Sequence, residues 1–320
     1  MRPRILLLCA LSAAVVAASP CIGGLPAGET GRMILVELRI PRVLMAVLVG
    51  GMLSLVGACY QTIFANPLAA PSTVGTTAGA TLGALIPLVL GPVFGVQVAH
   101  SQLGLPLTAL AAFAGALAVS FVVAAVAASG RARVNDVLLA GIAMSLAAGA
   151  IAAGLQYTAD QAALFAAIQW SLGHLPQVGY RGVGLILPFV VPAAALLLMQ
   201  TRALNSLVGG EQRAHSQGVD VPRTRALVLG VGALGVAACV AWCGPIAFVG
   251  LIVPHMVRLS LGTDRRILLP MSAVVGAGFL AACDLGARLA IPGRELPVGV
   301  VTAGLGAPAL VWLIIRGNRA

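Results

Sequence analysis

The chain contains no lysine and very little charge of any kind, with 9% of its 320 residues charged. Each shortage excludes something. Soluble domains keep roughly 25% charged residues to stay hydrated, so a soluble globular protein is excluded. A phosphate-cradling loop needs a glycine-rich run ending in Lys followed by Ser or Thr, and without lysine there is none. There is also no dinucleotide fingerprint and no H-E-x-x-H pair. The chain therefore has no known motif for ATP, and any ATP drive has to come from a partner. Disulfides are not expected either. Cys9, Cys21, Cys59, Cys239, Cys243 and Cys283 mostly sit within apolar runs and read as small buried hydrophobes. Cys239 and Cys243 lie one helical turn apart, but no histidine stands near them to complete a soft-metal site.

What is present is apolar. Hydrophobic residues make up 60% of the chain, and the mean hydropathy is +1.03. The runs are continuous and far longer than the about 10 alternating residues of a barrel strand, so the fold class is a polytopic all-α membrane protein. A bilayer core takes about 20 apolar residues per helix. Runs of that length predict ten spans, near 5–24, 43–62, 73–91, 105–127, 137–157, 182–200, 226–244, 246–261, 268–288 and 296–315. The first run resembles a signal peptide, but it stays apolar to Ile22 and reads as a retained span. Broken or re-entrant helices are expected around 62–73 and at Gly244–Pro245, because proline removes a backbone donor. Gly75, Gly79 and Gly83 form a face on which a second helix can approach closely.

Charge sets orientation. The net charge of +10 is all arginine, and it reads as basic cytoplasmic loops rather than a nucleic-acid surface. With the N-terminus inside and ten alternating spans, thirteen of the nineteen arginines fall in the cytoplasm. Both termini are then cytoplasmic. The exceptions are Arg32, Arg39, Arg42, Arg181, Arg288 and Arg294. They are either snorkelling anchors or an external patch for an acidic partner. Asp284, one turn before Arg288, can pair with it. The polar interruption 203–226 is long for a mere connection and suits a surface on which a soluble motor pushes.

Five segments stand out together: Arg39 to Ala84, Trp170 to Gly173 (WSLG), Gly218 to Ala226, Gly244 to Pro270, and Glu295 to Ile314. Jointly they resemble the FecCD-type permeases, the membrane subunits of type II ABC importers for iron chelates, haem and cobalamin. The resemblance covers nearly the whole chain, in order. It implies a single permease domain over 1–320, ten spans per subunit and a homodimer with the translocation path on its axis. It also implies a bacterial inner-membrane location, two cytoplasmic ABC ATPase subunits and a periplasmic substrate-binding protein. No cofactor is expected on this chain; ATP and Mg belong to the partner.

The resemblance also assigns roles. Arg39, Arg42 and Arg288 fall where the family clasps the binding protein. Glu211, Arg213, His215, Asp220, Arg223 and Arg225 fall in the ATPase-coupling loop. Asn66, Leu68 and Asn135 fall at the cytoplasmic gate, although a turn residue before Pro67 explains Asn66 equally well. His100, His174, His215 and His255 invite a haem-ligand reading, but a cargo path that must release favours weak contacts. An iron chelate or haem is the expected cargo, with cobalamin as the alternative. An ion-coupled transporter would need intramembrane charges as relays, and only Asp284 is placed for that.

Overall fold

The computed structural model describes residues 2–24, 27–91, 104–129, 134–291 and 293–317. His100, Arg131, Arg133 and Arg319 lie outside the described residues. Among the described residues the elements are helical, with one isolated bridge between Ile291 and Arg294. In chain order they are α1 (Arg2–Ala18), α2 (Glu29–Ile63), α3 (Thr76–Leu90), α4 (Gly104–Ala128), α5 (Val134–Thr158), α6 (Gln161–Ser171) and α7 (Gly179–Met199). There follow α8 (Thr201–Leu207), α9 (Glu211–Ser216), α10 (Val221–Cys243), α11 (Val249–Leu261), α12 (Arg265–Leu289) and α13 (Val298–Gly317).

Six of these, α2, α4, α5, α7, α10 and α12, are long and apolar enough to cross a bilayer. The apolar helices α1, α3, α11 and α13 stand at the other four predicted spans. For α3 and α11 a short length has a local cause. The 13 residues of α11 rise about 20 Å at 1.5 Å per residue, short of the about 30 Å hydrocarbon core. The chain before it is non-helical from Gly244, where φ is 66°, to Phe248, where φ is 67°. Before α3, residues Pro71–Val74 make a tight 3₁₀ turn that ends at Gly75. Both breaks fall where proline and glycine were read as breakers.

Helix α2 is the centre of the bundle. Its residues Ile34–Arg39 are wound as a π-helix, and the Ile40 N–H reaches back to the Leu35 carbonyl. The next residue, Pro41, has no N–H, so the register change sits where one ladder bond is missing anyway. Further along, nearly every residue is buried, and Tyr60 donates its hydroxyl to the Leu229 carbonyl at 3.2 Å.

Lipid tails are as apolar as leucine, so helices associate in a bilayer through close packing of small residues. The structure shows this at three crossings. A Cβ at Gly57 would collide with the Gly250 backbone of α11, and one at Gly50 with the Gly276 carbonyl of α12. Gly79 and Gly83 of α3 meet Gly115 and Ala111 of α4 in the same way. The Thr76 and Ser120 hydroxyls join those two helices at 2.8 Å. The glycine face read from the sequence is therefore a helix–helix contact.

Candidate functional site

The bundle has two polar ends. On α2, Arg42 and Gln61 are separated by about 28 Å at 1.5 Å rise per residue. Helix α12 runs antiparallel, so Arg288 stands at the Arg42 end and Arg265 at the Gln61 end.

At the first end, Arg42 is only 7% exposed. Its Nε donates to Asp284 Oδ1 at 2.9 Å, and its Nη1 donates to Glu295 Oε2 at 2.6 Å. Asp284 is fully buried. The expected Arg288–Asp284 pair is present at 3.2 Å, as a charge contact without hydrogen-bond geometry. Arg288 Nη2 also donates to the Ser19 hydroxyl and carbonyl at 2.8 and 3.0 Å. The Arg39 guanidinium donates to four carbonyls of the loop after α1, those of Pro20, Ile22, Gly23 and Gly24. The three arginines line one cavity of about 340 Å³ together with Gln177 and Glu295. The fold thus brings together three positions that the sequence spreads over 250 residues. Each guanidinium is already engaged, so an incoming carboxylate would have to exchange with the chain's own acceptors. Arg32, Arg181 and Arg294 remain exposed, as headgroup contacts would be.

Beside this cluster three family-like segments converge. Gly173, at φ 67°, closes WSLG against the Pro245 carbonyl. The His174 N–H donates to the Cys243 carbonyl at 2.8 Å, and the Gly299 N–H donates to the Gly173 carbonyl at 3.1 Å. The WSLG loop therefore ties the end of α10 to the start of α13. Burial, and secondarily the charge of Arg42, hold the His174 imidazole below its ordinary pKa and hence neutral.

At the opposite end, α8 and α9 form a helical pair built by glycine. Gly210 has φ 97° before α9, and Gly218, at φ 78°, ends it by donating to the His215 carbonyl. The pair is anchored by buried Leu204 and Ala214 and by Asn205, whose Oδ1 accepts the Arg265 N–H of α12 at 3.2 Å. Asp220 caps α10 by accepting the Arg223 N–H. Its carboxylate also pairs with the Arg223 side chain at 3.1 Å. Arg225 pairs with Glu211, joining α10 to α9. Glu211, Arg213, His215, Asp220 and Arg223 are exposed, and Arg225 is half-buried. The Gln61 side chain accepts from Arg258 Nη2 at 2.7 Å and donates to the Leu251 carbonyl at 3.3 Å. Sequence reasoning singled out neither Asn205 nor Gln61.

Asn66 and Leu68 share the turn after α2, where the Leu68 N–H donates to Asn66 Oδ1 at 2.9 Å. Asn66 is thus a turn residue, and Leu68 is 45% exposed. Asn135 is exposed in the first turn of α5. That helix meets the same connection through Gly141, which lies against Thr73 and Val74. Among the described residues no three His, Cys, Asp or Glu side chains gather as a metal site. Cys239 and Cys243 are buried free thiols.

The profile described as the FecCD transport family matches residues 5–316. The cobalamin import system permease protein BtuC of Halobacterium salinarum is 40% identical over 93% of this chain and 77% of its own. The hemin transport system permease protein HmuU of Yersinia pestis is 37% identical over 88% of this chain and 82% of its own. A solved chain, described as an inward-facing conformation of a metal-chelate type ABC transporter, superposes with a TM-score of 0.85. It has 28% identity, and the match covers 99% of this chain and 100% of that one.

Proposed function

The chain belongs to the FecCD transport family, and from that premise we propose how it works. It is a multi-pass permease subunit of an ABC importer. In our reading two copies pair around a central path. Two ATPase subunits dock on the α8–α9 end, and a periplasmic binding protein docks on the end that holds Arg39, Arg42 and Arg288. That places both termini in the cytoplasm of a bacterial inner-membrane protein. The exposed acid–base pattern of Glu211, Arg213, His215 and Arg223 on a rigidly anchored helical pair supports the ATPase assignment. A push on the pair passes from α8 through Asn205 to α12 and from α9 through Glu211 and Arg225 to α10. Asn66, Leu68 and Asn135 are proposed as the inner gate, because the 64–75 connection and the start of α5 pack together.

For the cargo we propose a preformed metal chelate of the tetrapyrrole type, cobalamin first and haem second. The single observation that carries this is the 40% identity, over 93% of this chain, to a permease named for cobalamin import. The 37% relative named for hemin keeps the second reading. A ferric siderophore, which with haem is the cargo expected from the sequence, has less support in these names. The test is uptake into proteoliposomes that hold the permease with its ATPase and binding protein. Labelled cobalamin, haem and a ferric siderophore are offered at equal concentration. Preferential uptake of cobalamin supports the assignment; preferential uptake of the siderophore refutes it.

A further inference from the structure

At the α8 end, a cavity of about 550 Å³ is lined by Arg202, Arg266, Thr201, Leu198 and Met199. Both arginines are exposed, and neither forms an ion pair among the described residues. Arg223 and Arg225 of α10 do. Leu198 belongs to two cavities. It also lines an apolar groove of about 610 Å³ between α1, α2, α7 and α12, whose walls include Val16, Leu48, Leu55, Val191 and Val274.

The cationic mouth and the apolar groove adjoin at Leu198. The groove follows α12 as far as Ala277. On α1 it reaches Val16 and on α2 it reaches Val47. It opens sideways, since Val191 and Val274 remain 48% and 38% exposed. An apolar groove with two unpaired guanidinium groups at its mouth matches an anionic lipid, whose tail is apolar and whose headgroup is negative. Guanidinium suits phosphate oxygens because its planar fork donates in pairs, and basic pockets between spans hold anionic headgroups.

We propose that this is a binding site for one anionic phospholipid, with its phosphate between Arg202 and Arg266 and one acyl chain in the α1–α2–α7–α12 groove. The site does not depend on the identity of the imported cargo. It places a lipid at the junction of α7, α8 and α12, where the helical pair is anchored.

The test is native mass spectrometry of the full chain in detergent, titrated with phosphatidylglycerol or phosphatidylcholine of identical acyl chains. Wild type is expected to favour phosphatidylglycerol. Each arginine near a headgroup contributes roughly fivefold, so Arg202→Gln with Arg266→Gln should weaken phosphatidylglycerol about 30-fold and leave phosphatidylcholine unchanged. Ala195→Trp, on an exposed groove position, should weaken both lipids. Unchanged phosphatidylglycerol binding in the double variant would overturn the proposal. So would full displacement of the lipid by equimolar inorganic phosphate, which would reveal a bare anion site. Should the double variant fail to fold, undiminished lipid binding by Ala195→Trp overturns it alone.

Discussion

Arg42 and Asp284, 242 positions apart in the chain, meet inside the bundle with Nε 2.9 Å from Oδ1. This contact fastens α2 to α12 near the loop after α1. Removing one partner of a buried pair leaves an uncompensated charge and costs about 3–5 kcal/mol, whereas replacing both by apolar or neutral groups is far milder. Arg42→Met should therefore lower the unfolding temperature in detergent sharply. Arg42→Met combined with Asp284→Asn should recover much of the loss. A single variant as stable as wild type would show that the cluster is not a clamp.

Gly57 has no room for a methyl group, because the Gly250 backbone occupies that space, while a Cβ at Gly154 meets nothing within 4 Å. Overpacking of this kind costs about 1–3 kcal/mol. Gly57→Ala should be destabilised by that order and Gly154→Ala should not, as read from thermal unfolding. Equal behaviour of the two would contradict the close α2–α11 crossing.

Much of this fold was legible in the sequence, and the reasons differ by element. The apolar runs located the six long apolar helices and the four others that stand at the remaining predicted positions, because lipid contact is written in composition. The breaks before α3 and α11 were legible because Pro and Gly act locally. Helix α6 was missed although its start carries a signal: Asp160 Oδ1 accepts the Ala163 N–H at 2.7 Å, an ordinary N-cap. The polar lead-in of α2 from Glu29 was missed because hydropathy alone sees only its apolar part. Arg288–Asp284 could be read from one-turn spacing, but Arg42–Asp284 and Asn205–Arg265 could not. Those pairs exist only once distant helices have packed. Gln61 left a weak trace, as a polar side chain inside an apolar run.

His174 gives a pH signature. Its folded pKa lies below the ordinary value, by burial first and by Arg42 second. The unfolded chain therefore binds more protons just below pH 6.5, and stability falls as pH drops through that window toward the folded pKa. Above pH 6.5 the contribution is fully present. His174→Gln should flatten this part of the stability–pH curve. A wild-type curve that gains stability on acidification from pH 7 to 5.5, with the gain lost in His174→Gln, would reverse the sign and refute the assignment.

Ser216 lies exposed at the end of α9. In a chain whose native cysteines have been replaced, Ser216→Cys should react with an impermeant maleimide only from the cytoplasmic side. Bound ATPase should block it. Labelling of intact cells from outside would invert the orientation proposed for both ends.

The central claim is that this chain is a conduit whose work is done by ATP hydrolysed on another subunit. The most direct measurement is cobalamin and haem uptake by proteoliposomes containing the permease, its ATPase and its binding protein. The ATPase is supplied either intact or with its catalytic carboxylate replaced. ATP-dependent uptake is expected with the intact partner, none with the disabled one, and no ATP hydrolysis by the permease alone. Uptake driven by an ion gradient with the ATPase disabled would contradict it.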